Sequence, residues 1–172
     1  MNLQSNDFEL FGLKQQFAQE RDEVDALWKA LQRQAHPDKF SAQDAAAQRV
    51  AMQWSVRINE AHQRLKDPVK RAAYLCELAG APINLHSNTA MPAEFLMQQM
   101  QWREALDEAQ GVEAVQALES EVRSARTRLL QQVASLIDQD HDFAAAAQAV
   151  RCLMFMEKFV HDLGQRLEAL ES

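Results

Sequence analysis

Apolar residues recur at helical spacing along almost the whole chain, and the places where the pattern breaks divide it into elements. Val24, Leu27, Trp28 and Leu31 form one stripe, and Ala47, Ala51, Trp54, Ile58, Ala61 and Leu65 form a second. Between them lies Ala35-His36-Pro37-Asp38-Lys39-Phe40, which cannot continue a helix. Pro37 fixes its own φ and pushes His36 out of the α region, so the preceding helix has to stop there. The pattern therefore predicts two facing helices joined by a rigid polar tip. Ahead of them, 7–13 reads as a short helix or turn whose Phe8 and Phe11 pack beneath the pair. Helix two is expected to begin near Asp22, whose carboxylate suits the free N–H groups of a first turn. Ser41 with Asp44 resembles a capping box that opens helix three, which runs to Leu65. Asp67-Pro68 interrupts the period, and 69–79 is a short fourth helix with Ala72, Leu75 and Leu78 on one side.

Gly80-Ala81-Pro82 closes this first half, and the run to Ala90 has no helical period. The expected organisation is thus an N-terminal domain over 1–80, a linker over 81–91 and a C-terminal three-helix bundle over 92–172. In the bundle, Pro92 suits the first helical position and Gly111 the stop of a helix over 92–110. A second helix carries Val115, Leu118, Val122, Ala125, Leu129, Val133 and Leu136. A third carries Leu153, Met156, Val160, Leu163, Leu167 and Leu170, after an acidic break at 138–142 that supplies N-caps. Steps of three and four in both stripes mark the seam of an antiparallel bundle. The helix over 92–110 differs, because two of its faces are apolar. Phe95, Trp102, Leu106 and Ala109 group on one side, while Leu96, Met97, Met100, Gln101, Glu104 and Glu108 fall within an arc of about 140° on the other. If Trp102 marks the core, Leu96, Met97 and Met100 form an exposed patch grading into acid, a make-up that suits protein docking. Phe155 lies roughly 110° off the stripe of the last helix and extends that patch.

Composition narrows the class. With 172 residues, 47% hydrophobic, and only 4 Gly and 4 Pro, the chain is expected to be all-α with a substantial core. The charge is uneven: residues 1–80 hold 11 basic and 11 acidic side chains, whereas 81–172 hold 7 and 14, which accounts for the net charge of -7. Nucleic acid is a poor partner for such a balance, since phosphate binding needs clustered Lys and Arg. No apolar run approaches a membrane span and no leader is visible, so a cytoplasmic protein with no membrane partner is expected. Cys76 and Cys152 are far apart in sequence and read as reduced core thiols. No His, Cys or acidic spacing suggests a metal, no cofactor is implied, and His36 with Asp38 sits on an exposed loop beside no nucleophile, so catalysis is not expected. Lys29 and Arg33 precede His36 at helical spacing, giving the neutral first half a basic face suited to an acidic protein surface.

His36-Pro37-Asp38 between two such helices resembles the signature loop of a J-domain, the module that activates DnaK-type chaperone ATPases. The tyrosine-aspartate ending and Gly/Phe-rich stretch of a general folding J-protein are absent. Instead Arg71-Ala72-Ala73-Tyr74-Leu75 leads into an acidic helical half, and Phe11-Gly12-Leu13 and Phe40 are also similar to the HscB family, specialised J-type co-chaperones of iron-sulfur cluster assembly. That resemblance runs from Phe8 to about Leu167. It implies a co-chaperone that stimulates the ATPase of the chaperone HscA and delivers the cluster scaffold IscU. His36, Pro37, Asp38, Lys29, Arg33 and Lys39 are then the chaperone-binding residues. The run FLMQQMQWREALDE is similar to the scaffold-gripping segment of the family and assigns Leu96, Met97, Met100, Gln101, Glu104, Glu108 and Phe155 to IscU, with Gln101 departing from the family's acid. A general folding co-chaperone that holds unfolded clients on the same patch is the alternative.

Overall fold

The computed structural model describes residues 2–40, 44–85 and 91–172. Among these the chain is all-helical, with α1 Asp7–Phe11, α2 Arg21–Ala35, α3 Ala45–Lys66, α4 Pro68–Leu78, α5 Ala93–Glu108, α6 Val112–Asp138 and α7 Phe143–Glu171, and a 3-10 turn at Pro37–Phe40. It divides into two compact units, Met1–Leu75 and Cys76–Ser172.

The N-terminal unit is an antiparallel pair, α2 and α3, with α1 packed against both. Val24, Ala51, Ile58, Ala61 and Leu65 fill the seam, and Phe8, Phe11 and also Phe17 lie buried with them. α1 is anchored by an ionic cluster. The fully buried Asp7 carboxylate accepts hydrogen bonds from Arg64 Nε (2.6 Å) and Nη2 (2.8 Å), and Arg57 Nη1 stands 2.8 Å away. Carboxylate hydrogen bonds hold the Arg64 guanidinium above its ordinary pKa. The Asp7 N–H donates to the Tyr74 hydroxyl, and the Tyr74 ring stacks on Phe8. Arg71 donates to Phe17 O and Leu65 O, tying the first turns of α4 to the unit.

Several caps differ from the sequence reading. α2 begins one residue before Asp22, with Glu20 at the N-cap and no side-chain cap bond, so Asp22 acts through first-turn charge alone. Asp44 is itself the N-cap of α3, its carboxylate accepting from Ala47 N; Ser41 lies outside the described residues. Pro92 precedes α5 with an extended ψ of 142°, and its carbonyl accepts from Phe95 and Leu96. Gly111, at φ 86°, opens α6, and α5 has already ended at an extended Ala109.

In the C-terminal unit α6 and α7 run along one another, closed by Val115, Val122, Val133, Ile137, Val150, Leu153, Met156 and Leu163. The stripe expected on α7 is corrected at three positions. Phe159 is buried where Val160 was expected, because its ring stacks on Trp102 of α5 at 6.0 Å. Val160 and Leu167 are half-buried, and Leu170, in the final turn, is exposed. The expected linker also begins within this unit: the division falls inside α4, Ile83 is buried, and its carbonyl accepts from Arg151 Nη1 at 3.1 Å. Residues 86–90 of that stretch lie outside the described residues. Both cysteines are free and buried, and desolvation pushes each thiol up to about 11.

Candidate functional site

Two features stand out, one in each unit. In the N-terminal unit α2 ends at Ala35 because His36 is extended, at φ -60° and ψ 132°, as the following proline demands. The chain is not irregular beyond it: a single 3-10 turn follows, closed by Lys39 N–H donating to His36 O at 3.0 Å. Pro37 occupies the first position of that turn, where no N–H is needed. The His36 ring folds over the turn, its Nδ1 accepting from Asp38 N at 3.2 Å and lying 3.6 Å from the Asp38 carboxylate. That hydrogen bond selects the Nε2–H tautomer of the neutral ring. The Asp38 side chain is 90% exposed, so a carboxylate on a short, pinned turn projects from the end of the hairpin.

The hairpin behind the turn is cross-braced. Trp28 Nε1–H donates to Asn59 Oδ1 (2.9 Å), and Gln32 donates to Ser55 O and Asn59 Oδ1 while accepting from Ser55 Oγ. The Trp28 ring stacks flat on His62 at 4.3 Å, and His62 Nε2 sits 2.7 Å from Asp25. That hydrogen bond, with Arg21 next, lowers the Asp25 pKa. Lys29, Arg33 and Lys39 are exposed. Lys29 lies midway along α2 and Arg33 in its last turn, at helical spacing ahead of His36, while Lys39 lies in the 3-10 turn itself.

In the C-terminal unit α5 is turned as the sequence suggested. Trp102 is 3% and Leu106 8% exposed, against 45% for Leu96, 62% for Met97 and 71% for Met100. Gln101, Glu104 and Glu108 are exposed alongside. The helix is fastened by its C-terminal half. Trp102 Nε1–H donates to Glu121 of α6 at 3.4 Å, and Arg103 pairs with Asp162 of α7 at 2.8 Å while stacking on Phe159. Phe155 is half-buried and lines a depression with Gln99, Arg103 and Phe159. Sequence reasoning missed Phe159, Arg103 and Asp162, which set this helix in place; the three-residue step from Met156 to Phe159 was the available signal. Among the described residues no group of three or more His, Cys, Asp or Glu is placed to hold a metal, and no helix is long and apolar enough to cross a membrane.

A helical hairpin with a His-Pro-Asp turn, followed by a helical C-terminal unit, defines the J-domain co-chaperone class that carries an added helical domain, and similar chains bear this out. The family model described as HSCB C-terminal oligomerisation domain matches residues 91–164. The Co-chaperone protein HscB homolog of Bordetella petrii is 49% identical over 157 residues, 91% of this chain and 92% of that protein. Its counterpart in Burkholderia multivorans is 44% identical over 175 residues, covering 100% and 99%. Among solved structures, the chaperone HscB from Vibrio cholerae superposes with a TM-score of 0.83 at 32% identity, over 96% of this chain and 99% of that one. Human co-chaperone protein HscB gives 0.90 at 25% identity, over 96% and 84%. The chain belongs to the HscB family of co-chaperones.

Proposed function

We propose that this chain stimulates the ATPase of the DnaK-type chaperone HscA through its hairpin tip and delivers the iron-sulfur scaffold IscU to it through α5. The observation that carries this reading is the pairing, in one chain, of an exposed Asp38 carboxylate on a pinned turn with an exposed Leu96–Met97–Met100 ridge rimmed by Glu104 and Glu108. A compact acceptor projecting beside Lys29, Arg33 and Lys39 suits a charge-assisted contact with an Arg on the chaperone, while the basic side chains speed encounter with an acidic surface. Leu and Met side chains left in water on one helix face gain free energy only when a partner covers them.

Two substitutions test the two contacts separately. Asp38→Asn and His36→Gln alter exposed groups and should abolish ATPase stimulation with melting unchanged; near-normal stimulation by either folded variant would refute the tip's role. Replacing Leu96, Met97 and Met100 together by Ala should remove most IscU affinity in a calorimetric titration, since a few central side chains dominate such interfaces, and leave ATPase stimulation without scaffold intact. Saturable one-to-one binding of folded IscU separates this reading from a general folding co-chaperone, whose patch would instead take unfolded segments.

A further inference from the structure

The half of α5 that carries the ridge borders open space on its bundle side. Trp102 and Arg103 make a hydrogen bond, an ion pair and ring contacts to α6 and α7, and the N-terminal half lines an open groove of about 800 Å³. Phe95, Leu129, Leu136 and Met156 give it an apolar lining. Gln98 and Gln101 on α5 stand across from Gln132 on α6 and Gln148 on α7, while Glu94 and Arg128 contribute one charge of each sign. The groove is therefore close to neutral within a unit that is otherwise acidic.

This lining is selective about what it admits. Each glutamine amide offers two donors and an acceptor with two lone pairs, so a set of them serves the N–H and C=O groups of an extended peptide backbone equally well. Carboxylates and ammonium groups would serve only one of the two. The apolar lining covers side chains that alternate away from the backbone ties, as strand geometry requires. A volume of this size is ample for a short extended segment. Met97 and Gln101 belong both to the exposed side of α5 and to the groove wall, so a partner seated on the ridge reaches the groove without a gap.

We infer that the groove beneath the N-terminal half of α5 takes an extended, uncharged segment of the same scaffold partner that covers the ridge, so that the partner wraps α5 from two sides. This rests on the reading of α5 as the scaffold contact. Wrapping adds contact where a single exposed helix face is narrow.

The test uses the full chain, purified IscU without cluster, and two exposed groove-wall residues, Gln132 and Gln148. Gln132→Trp with Gln148→Trp fills the groove and should lower IscU affinity at least tenfold, with ATPase stimulation in the absence of scaffold unchanged. Gln132→Ala with Gln148→Ala removes only the hydrogen-bonding groups and should lower it severalfold; this pair carries the test if the bulky pair fails to fold. Full affinity in both groove variants, with affinity lost in the Leu96/Met97/Met100 triple Ala variant, overturns the inference and leaves the scaffold reading standing. Full affinity in the triple variant as well overturns both. Sedimentation of the wild-type chain supplies the remaining outcome: a dimer that the Trp pair converts to monomer means a second copy occupies the groove, and the inference falls.

Discussion

The seam of the N-terminal unit is crossed by directional polar bonds, whereas that of the C-terminal unit is closed almost entirely by aliphatic contacts. Between α2 and α3, hydrogen bonds link Trp28, Asn59, Gln32 and Ser55, a separate one joins His62 to Asp25, and Trp28 stacks on His62, while Asp7 with Arg57 and Arg64 pins α1 to α3. Between α6 and α7 the fully buried residues include Val115, Val122, Val133, Val150, Leu153, Met156 and Leu163, and the ion pair Arg126–Glu157 lies at the surface. Hydrogen bonds are met at one register and one rotation, while apolar burial is indifferent to direction. The difference matches what each unit presents. A single carboxylate at a tip is useful only if its position is held, so the hairpin behind Asp38 is braced. An apolar ridge needs exposure rather than aim, and α5, tied at Trp102 and Arg103, leaves Leu96, Met97 and Met100 in solvent.

The comparison can be broken at its strongest points first. Trp102→Ala removes the side chain that joins α5 to both α6 and α7, and should cost about 3 to 5 kcal/mol of C-terminal stability. The first-unit Trp28 and Trp54 should report an unchanged transition in chemical denaturation. A normal melt of the second unit would mean that α5 is turned the other way round. Asp7→Ala leaves two guanidinium groups without their shared acceptor. Breaking such a pair costs about 3 to 5 kcal/mol when fully buried, and because Arg64 remains about a third exposed the expectation lies near 3 kcal/mol. The loss should appear in the transition of the N-terminal unit and spare the other.

Smaller effects sharpen the contrast. Gln32→Ala removes the tie to Ser55 and Asn59 and should cost about 1 kcal/mol. Because the brace holds the tip, it should also reduce ATPase stimulation, while a conservative Val122→Ile in the apolar seam should not. The smallest effect is one of pH. His62, then Arg21, hold the Asp25 carboxylate below its ordinary value of 3.8, so its contribution is present above that value and is lost as pH falls through the lower folded-state value. Thermal melts between pH 6 and 3 should show the wild type losing its advantage over Asp25→Asn at the acid end. An advantage that grows with acid would contradict the Asp25–His62 bond.

How much of this was legible in the chain depends on range. The helices, the break at Pro37 and the exposure of Leu96, Met97 and Met100 follow from local terms: a fixed proline φ and a 3.6-residue period acting on neighbours in sequence. The cysteines as buried thiols and the Asp142 N-cap, whose carboxylate accepts from Ala145, were legible for the same reason. The ends of helices were less so. Pro92 and Gly111 each satisfy two local rules, and only the surrounding chain selects between them: Pro92 lends its carbonyl from outside α5, and Gly111 takes a positive φ to start α6 rather than to end α5.

What the sequence by itself determined is the set of helices, the stiff turn between α2 and α3, and the two-faced character of α5. What only the tertiary structure decided is which long-range partners meet. Asp7 finds Arg57 and Arg64 more than 40 positions away, Phe159 rather than Val160 enters the core because a third helix brings Trp102 to it, and Ile83 is drawn into the second unit by Arg151. The groove under α5 belongs to this second group, since an empty space between helices depends on where each is fastened. Periodicity reports which side of a helix is buried; it carries no information about what lies opposite, because that is set by packing among segments far apart in the chain.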